Sequence, residues 1–352
     1  MRATNWIGDV VMISPALAAM RRRYPSARIE AVAIPQVAEC LRGNPAVDEV
    51  ILFDRRGRDS GARGLWRVAS LLRARRYDMA VLFQKAIGAA LMARLAGVPV
   101  RIGIAADRRG WLLTHAVPLT DNLKRRHHLE IFSEVARAAG CDVSDRTIFF
   151  PVGHQDRIWA EAFLKDHRAE RFSFLVALHI GASKRPRAWH IDRFVRTAEM
   201  IADRHGAGVI LLGGRSEMEE MAAVASALGD RAIDACGGTT IKQMAALIAR
   251  CRLLVGNDSG PMHLAGALGT PVVAIFGPGD PDRTAPYPPV TEGKVAVVSR
   301  RYPCAPCRQN FFRECYPSPA GKPMCLESIG VDEVVSAAES LLGGSPGSAV
   351  TR

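Results

Sequence analysis

Residues 251–281 combine the residue types that bind phosphate. An apolar run at 253–255 ends in the tetrapeptide Asn257-Asp258-Ser259-Gly260, and a helix of small residues follows. A helix N-terminus favours an anion, because it presents unpaired backbone N–H groups and a partial positive charge. We therefore predict a phosphate-binding loop here. His263, one turn into the helix, either faces the same pocket or packs in the core.

A basic segment follows another apolar run, at residues 174–178. It contains Gly181, which we expect to let the backbone approach a ligand closely, the hydroxyl of Ser183, and the cations Lys184 and Arg187. A planar guanidinium matches two phosphate oxygens at once, whereas an ammonium group acts as a point charge. The segment predicts either a second phosphate contact or a solvated basic loop. Its place at the carboxyl end of a strand favours the phosphate contact.

Two acidic residues lie at comparable positions. Asp9 follows Gly8 at the expected carboxyl end of a first strand, where it either faces a ligand or caps the next helix. Glu217 follows two glycines at the end of another strand. It either bonds ribose hydroxyls, as acidic residues do in nucleotide sites, or compensates the dipole of the helix that begins there.

Together these loops predict a pocket for a diphosphate-linked nucleotide. The chain lacks the P-loop pattern G-x-x-x-x-G-K-[ST] and has no acidic cluster of the kind that holds Mg²⁺. We therefore expect Arg187, Lys184 and the helix N-termini to neutralise the diphosphate.

The elements that must position these residues alternate between strands and helices in both halves of the chain. This alternation predicts an α/β protein with two Rossmann-like, doubly wound parallel-sheet domains facing a central cleft. We place the domains at residues 1–152 and 153–342, with a disordered tail at 343–352. Only six residues precede the first turn, so either the first strand is very short or the natural start lies upstream. Apolar runs of strand length occur at residues 29–34, 49–53, 79–83, 174–178, 208–212, 253–255, 272–276 and 295–298.

The formal net charge of +12 is concentrated in the first half. Residues 1–150 carry 24 Lys and Arg against 14 Asp and Glu, and residues 151–352 carry 23 against 21. The first half is therefore either an ordinary solvated basic surface or the part that faces a polyanion such as an anionic membrane or a phosphorylated lipid. Nucleic acid is the weaker alternative, because aromatic residues are not interleaved with the basic ones.

The eight cysteines form two groups. Cys40, Cys141, Cys236 and Cys251 lie in apolar surroundings and are expected in the core. The others have the spacing C-x2-C-x7-C-x9-C, which predicts either a structural zinc site or four unligated thiols in a surface loop. These four are Cys304, Cys307, Cys315 and Cys325.

The sequence shows neither a run of about 18 apolar residues nor the charged and apolar regions of a signal peptide. We therefore expect a cytoplasmic protein.

Three motifs, in the same order along the chain, resemble glycosyltransferase family 9. They are N-W-I-G-D-x-V followed by P-A-L at residues 5–17, G-A-S-x-x-x-R-x-W at 181–189, and N-D-S-G-x-M-H-L-A at 257–265. This family comprises the ADP-heptose:lipopolysaccharide heptosyltransferases. The resemblance is nearest to the heptosyltransferase II branch, some members of which also have a segment like the one from Cys304 to Cys325.

The resemblance implies a GT-B fold, in which an N-terminal acceptor domain and a C-terminal nucleotide-sugar domain perform an inverting transfer without a catalytic metal. By position, Asp9 matches the catalytic base, Ser183 a phosphate contact and Glu217 a nucleoside contact. Asp258, Ser259 and Gly260 match the loop that holds the diphosphate and heptose, with His263 beside it. Arg187 stands where the family often has Lys.

The implied partners are an ADP-heptose donor and an anionic lipid acceptor, the Kdo- and heptose-bearing lipopolysaccharide core, at the inner face of the cytoplasmic membrane. The candidate acceptor contacts are Arg55, Arg56, Arg58, Arg63 and Lys85. Two alternatives stay open. One is another GT-B enzyme, such as a UDP-sugar transferase or a 2-epimerase, and the other is a non-catalytic protein that binds nucleotides or polyanions.

Overall fold

The computed structural model describes residues 1–287, 293–307, 309–312 and 315–343. The chain divides into two compact units, Met1–Pro151 and Val152–Arg352, and each is described by itself. Both units are built on parallel strands with helices between them, so the predicted α/β class is confirmed. Most of the tail predicted to be disordered, residues 344–352, lies outside the described residues.

The second unit contains one six-stranded parallel sheet. Counted along the chain within this unit, the strand order is 3-2-1-4-5-6, which is the order of a doubly wound dinucleotide-binding fold. From one edge of the sheet to the other, the strands are β8 (Ala232–Asp234), β7 (Gly208–Leu211), β6 (Leu175–His179), β9 (Leu253–Asn257), β10 (Val272–Phe276) and β11 (Val295–Ser299).

Continuous apolar runs form the central strands of this sheet because both of its faces are covered. Every residue of β6, β9 and β10 is buried. One face packs against helical residues that include Phe194, Ala198 and Ala338. The helices of this unit are α8 (His154–Asp166), α9 (Ile191–His205), α10 (Met218–Leu228), α11 (Ile241–Ile248), α12 (Gly260–Leu268), α13 (Pro281–Thr284), α14 (Met324–Glu327) and α15 (Val331–Leu342).

Local sequence explains where the site-bearing helix α12 begins and ends. Pro261 lies in its first turn, where the missing N–H costs nothing. Gly269 ends it with φ of 75°, a left-handed conformation that glycine adopts without strain. The helix therefore stays short and presents its N-terminus directly after β9.

The first unit has two groups of parallel strands. β1 (Glu30–Ala33) pairs with β2 (Glu49–Leu52), while β3 (Met79–Leu82), β4 (Val100–Ala105) and β5 (His115–Pro118) form a second group. The helices are α1 (Ile7–Met12), α2 (Ser14–Arg23), α3 (Pro35–Leu41), α4 (Gly61–Ala74), α5 (Ile87–Leu95), α6 (Asp121–Arg125) and α7 (His128–Ala138).

The predicted first strand is reduced to an isolated bridge. Arg2 pairs in parallel with Val32 of β1 and with Leu82 of β3, and so links the two groups. A cavity of about 550 Å³ lies beside it, lined by residues that include Met1, Met20, Ile29 and Met79. A first strand therefore exists between β1 and β3, in the very short form that the sequence allows.

Sequence reasoning missed several elements, namely the strands β4, β5 and β8 and the helices α6, α8, α13 and α14. The strand β4 contains Arg101 and Gly103, β5 is short and largely exposed, and β8 has only three residues, so none of the three shows a continuous apolar run. The helix α8 was missed because it buries only Ala160 and Leu164.

Candidate functional site

The predicted phosphate loops meet where the strand order of the second unit reverses. Neighbours β6 and β9 end at His179 and Asn257, and the chain leaves them towards α9 and α12. In doubly wound sheets, ligands bind in the crevice outside the carboxyl ends of such strands. The basic segment after β6 and the Asp258–Ser259 loop after β9 therefore line the same crevice.

Asn257 ties the two loops together. Its side-chain amide donates to the carbonyl of Ile180 at 2.6 Å, and its carbonyl oxygen accepts from the backbone N–H of Trp189 at 2.9 Å. Asn257 and Trp189 are fully buried. A buried amide satisfied on both sides fixes the spacing between the loops.

Arg187 lies between the residues that were predicted to contact phosphate. Its guanidinium donates to the hydroxyl of Ser183 at 3.0 Å and to the backbone carbonyl of Asp258 at 3.0 Å, and it forms an ion pair with the Asp258 carboxylate. Its buried Nε has no hydrogen-bond partner among the described residues. Ser183, Arg187 and Asp258 therefore form one polar cluster in which a fixed cation faces the crevice.

A second chain of polar groups crosses the strand ends. The hydroxyl of Ser259 lies 3.2 Å from Nδ1 of His179, and Nε2 of the same ring lies 3.9 Å from Oε2 of Glu217. Burial lowers the pKa of His179, although the charge of Glu217 opposes this effect. A neutral imidazole therefore lies between the predicted phosphate-binding loop and the predicted nucleoside contact.

The role expected of Gly181 needs correction. Its missing side chain was predicted to let a ligand approach, but a Cβ at this position would overlap Oε1 of Glu217. Glu217 also accepts from the backbone N–H of Gly214 at 2.6 Å. The space beside Gly181 therefore seats a protein carboxylate.

The remaining predicted residues of this unit occupy different settings. Lys184 is exposed, with its ammonium group 5.6 Å from the centre of the Phe311 ring. Gly260 is the first residue of α12, and His263 is buried in the first turns of this helix. Sequence reasoning missed Asn257 and His179 as linking residues. Their place at strand ends was a usable signal, but their partners lie between 38 and 80 positions away in sequence.

The first unit contains the residue predicted to be the catalytic base. Asp9 lies in the first turn of α1, where the partial positive charge at the helix N-terminus stabilises its carboxylate. Its Oδ1 is 3.6 Å from Nδ1 of His128, the first residue of α7, and each side chain is 23% exposed. The carboxylate is thus accessible and has a basic neighbour that sequence reasoning did not select.

The predicted acceptor contacts of this unit lie mostly at the surface. Arg55, Arg56, Arg58 and Arg63 are exposed, whereas Lys85 is half-buried. Arg58 lies 3.7 Å from the buried carboxylate of Asp59, which also pairs with Arg67. The turn before α4 therefore presents several cations to solvent.

The predicted zinc site is not formed by the described side chains. In the described ranges no group of three His, Cys, Asp or Glu residues is placed to hold a metal ion. Burial and the neighbouring thiols raise the pKa of Cys325 to about 11, so this thiol is protonated near neutral pH when no metal ion is bound to it. Cys40, Cys141, Cys236 and Cys251 are buried, as predicted.

Within the part of the chain that the structure describes, no helix has the length and apolar character needed to cross a bilayer.

Comparisons with known proteins agree with this architecture. The family model described as "Glycosyltransferase family 9 (heptosyltransferase)" matches residues 65–315, more than half of the chain. The sequence is similar to lipopolysaccharide heptosyltransferase 2 of Escherichia coli strain K12, with 28% identity over 301 residues, covering 80% of this chain and 83% of that protein.

Two solved structures resemble the fold over nearly its full length. A family 9 glycosyltransferase from Veillonella parvula is similar with a TM-score of 0.85 and 25% identity, covering 98% of this chain and 96% of that one. The ADP-heptose lipopolysaccharide heptosyltransferase II of E. coli is similar with a TM-score of 0.77 and 23% identity, with 97% of each chain covered.

Proposed function

This chain belongs to glycosyltransferase family 9, the heptosyltransferase family, and we propose that it transfers L-glycero-D-manno-heptose from ADP-heptose to the lipopolysaccharide inner core. It is a glycosyltransferase with the α/β architecture of the GT-B type. Four parts of this proposal are open to experimental test. They are the identity of the donor, the identity of the acceptor, inversion at the anomeric carbon, and activity without a metal ion.

The observation that carries the proposal is the polar cluster at the reversal of the second unit's strand order. Arg187, with Ser183 and the N-terminus of α12, offers a cation, a hydroxyl and backbone N–H groups of the kind that bind a diphosphate. Asp258, held by Arg187, is suited to accept hydrogen bonds from sugar hydroxyls. Glu217 lies in the turn between β7 and α10, on the side of the sheet where a ribose would be bound.

In the proposed reaction Asp9 is the general base. It takes the proton of an acceptor hydroxyl while that oxygen bonds to the anomeric carbon of the heptose. The bond from that carbon to the diphosphate oxygen breaks on the opposite side, so the configuration inverts and ADP leaves. Preorganised cations and N–H donors stabilise the charge that develops on the leaving diphosphate, without a metal ion.

The first unit is proposed to bind the acceptor, through Arg55, Arg56, Arg58, Arg63 and Lys85, and to contact the cytoplasmic face of the inner membrane. Trp66 is 55% exposed on α4, one turn after Arg63, and Leu71 on the same helix is also exposed. An exposed tryptophan beside arginines suits the boundary between lipid headgroups and acyl chains. The proposed contact is peripheral and electrostatic.

A transfer assay over several donors tests the proposed function. The purified protein is incubated with a lipid A–Kdo acceptor or its monoheptosyl form, and with ADP-heptose, a UDP-sugar or a GDP-sugar in turn. We expect mass spectrometry to find one added heptose with ADP-heptose alone. Transfer from a UDP- or GDP-sugar in its place would contradict the donor assignment. Binding without transfer from any donor would identify a non-catalytic binding protein.

A further inference from the structure

Asp9 has a basic partner to which the reaction described above gives no role. Nδ1 of His128 lies 3.6 Å from Oδ1 of Asp9, and both side chains are partly exposed on the first unit. The two residues lie 119 positions apart in sequence and are brought together because α1 packs against α7. The contact therefore belongs to the tertiary structure and not to the local capping of either helix.

The position of the imidazole is fixed by its own helix. His128 is the first residue of α7, and the helix start is held by the preceding His127, whose Nδ1 accepts from the backbone N–H of Leu129 at 3.3 Å. One turn later, the Phe132 ring meets the His128 ring edge-on, with centroids 6.3 Å apart. Phe132 packs in turn on the buried Phe83, at 6.1 Å.

This packing restricts the rotation of the imidazole on the side that Phe132 covers. A base that must meet a hydroxyl at hydrogen-bond distance gains from such a constraint, because misplacement by about 1 Å costs about 100-fold in rate. A carboxylate on the first turn of a short helix has two oxygens that are otherwise free to exchange places by rotation.

We propose that His128 is the positioning residue of Asp9: its Nδ1–H is directed at Oδ1 and keeps Oδ2 turned towards the acceptor hydroxyl. This inference rests on the proposed function, since it needs Asp9 to be the base. The proton taken from the acceptor ends on Oδ2 of Asp9, and His128 keeps its own proton throughout.

Two substitutions of His128 separate positioning from simple support of the fold. In His128→Asn the side-chain amide replaces the Nδ1–H donor, whereas in His128→Gln the amide reaches the position of Nε2. We expect His128→Gln to lower kcat about 100-fold with little change in the KM of either substrate. We expect His128→Asn to keep a kcat close to that of the parent protein. His115→Ala, at an exposed histidine of β5, is the matched control and keeps the parent rate.

Equal kcat values for the Asn and Gln variants, whether both high or both low, would overturn the proposal, because a donor at the Nδ1 position would then not matter. A rise in the KM of His128→Gln without a fall in its kcat would also overturn the proposal. Asp9→Asn, measured in parallel, separates this from a failure of the proposed function. If Asp9→Asn turns over at the parent rate, the base assignment itself is wrong. If Asp9→Asn is inactive while His128→Gln is fully active, only the role of His128 is wrong.

Discussion

At the scale of single residues, we propose that donor affinity rests on Arg187. Its guanidinium joins Ser183 to Asp258 at the predicted diphosphate site. Arg187→Ala removes charge-assisted hydrogen bonds, which are worth about 1.5–3 kcal/mol each, and takes a cation away from the predicted diphosphate site. We expect the affinity for ADP, measured by isothermal titration calorimetry, to fall at least about 10-fold.

Arg185 provides a matched control two positions earlier. Its side chain is 92% exposed and pairs with Glu220, outside the cluster. Arg185→Ala should bind ADP as the parent protein does. Similar losses in the two variants would mean that the basic segment acts only through its overall charge, and that the Arg187 cluster is not the diphosphate site.

His179 makes the stability of the second unit depend on pH. Burial lowers its pKa in the folded state, so between the usual value of about 6.5 and this lower value the unfolded chain binds more protons. The contribution to stability is complete above about pH 6.5 and is lost as the pH falls through the folded-state pKa. His179→Asn, which cannot be protonated, should flatten the decline of the melting temperature between pH 7.5 and 5.

The control for this measurement is His154→Asn, at an exposed histidine of the same unit. The melting temperature of this variant should decline with falling pH as that of the parent protein does. An unchanged decline in His179→Asn would show that His179 does not stay neutral in the folded state.

The positions of single residues were predictable where the residue's chemistry is local. We selected Ser183, Arg187 and Asp258 because of their side-chain chemistry and because each follows the carboxyl end of a strand. In the structure their side chains lie in one polar cluster. Gly181 was misread because the carboxylate that fills the space beside it comes from Glu217, on another loop. His128 was missed since nothing in its own segment indicates Asp9 as a neighbour.

At the scale of elements, the spacing of the two site loops depends on Asn257. The buried amide satisfies one backbone acceptor after β6 and one backbone donor before α9. Asn257→Ala leaves both groups buried and unpaired, at about 1–3 kcal/mol each. We expect a melting temperature several degrees lower and weaker ADP binding in the variant that remains folded.

Thr197→Ala is a useful comparison for this prediction. Thr197 is fully buried on α9, but its hydroxyl has no hydrogen-bond partner among the described residues. Its loss should cost less stability and leave ADP binding unchanged. If Asn257→Ala binds ADP with parent affinity despite a lower melting temperature, the hydrogen bonds of Asn257 stabilise the fold but do not affect ADP binding.

Elements were predictable where the apolar pattern is continuous. β9 and β10 follow directly from continuous apolar runs that are buried in the covered sheet, and α15 follows from apolar residues at helical spacing. β5 escaped prediction because a short edge strand needs little apolar sequence and contains Pro118. The sheet order, which decides which loops meet, comes from the crossover connections and not from any one segment.

At the scale of the whole molecule, the uneven charge predicts salt-sensitive binding to anionic membranes. Residues 1–150 carry 24 Lys and Arg against 14 Asp and Glu. We expect the protein to sediment with phosphatidylglycerol vesicles at low ionic strength and not with phosphatidylcholine vesicles. Binding should be lost near 1 M salt, where the Debye length is about 3 Å. Arg55→Gln with Arg56→Gln should weaken it.

A charge-matched double variant in the other unit controls for net charge. Arg250→Gln with Arg252→Gln removes two exposed arginines of the second unit. Equal weakening in the two double variants would contradict a specific membrane face on the first unit. Binding to phosphatidylcholine that is insensitive to salt would contradict an electrostatic contact.

The most direct test of the central claim is heptosyl transfer by the parent protein and by Asp9→Asn, measured side by side in EDTA. Mass spectrometry follows the acceptor, and calorimetry follows ADP binding. We predict that the parent protein adds one heptose from ADP-heptose in the presence of the chelator. Asp9→Asn should bind ADP with nearly the parent affinity and form no product. Equal turnover by Asp9→Asn, or transfer by the parent protein only when Mg²⁺ is added, would contradict a metal-free reaction with Asp9 as its base.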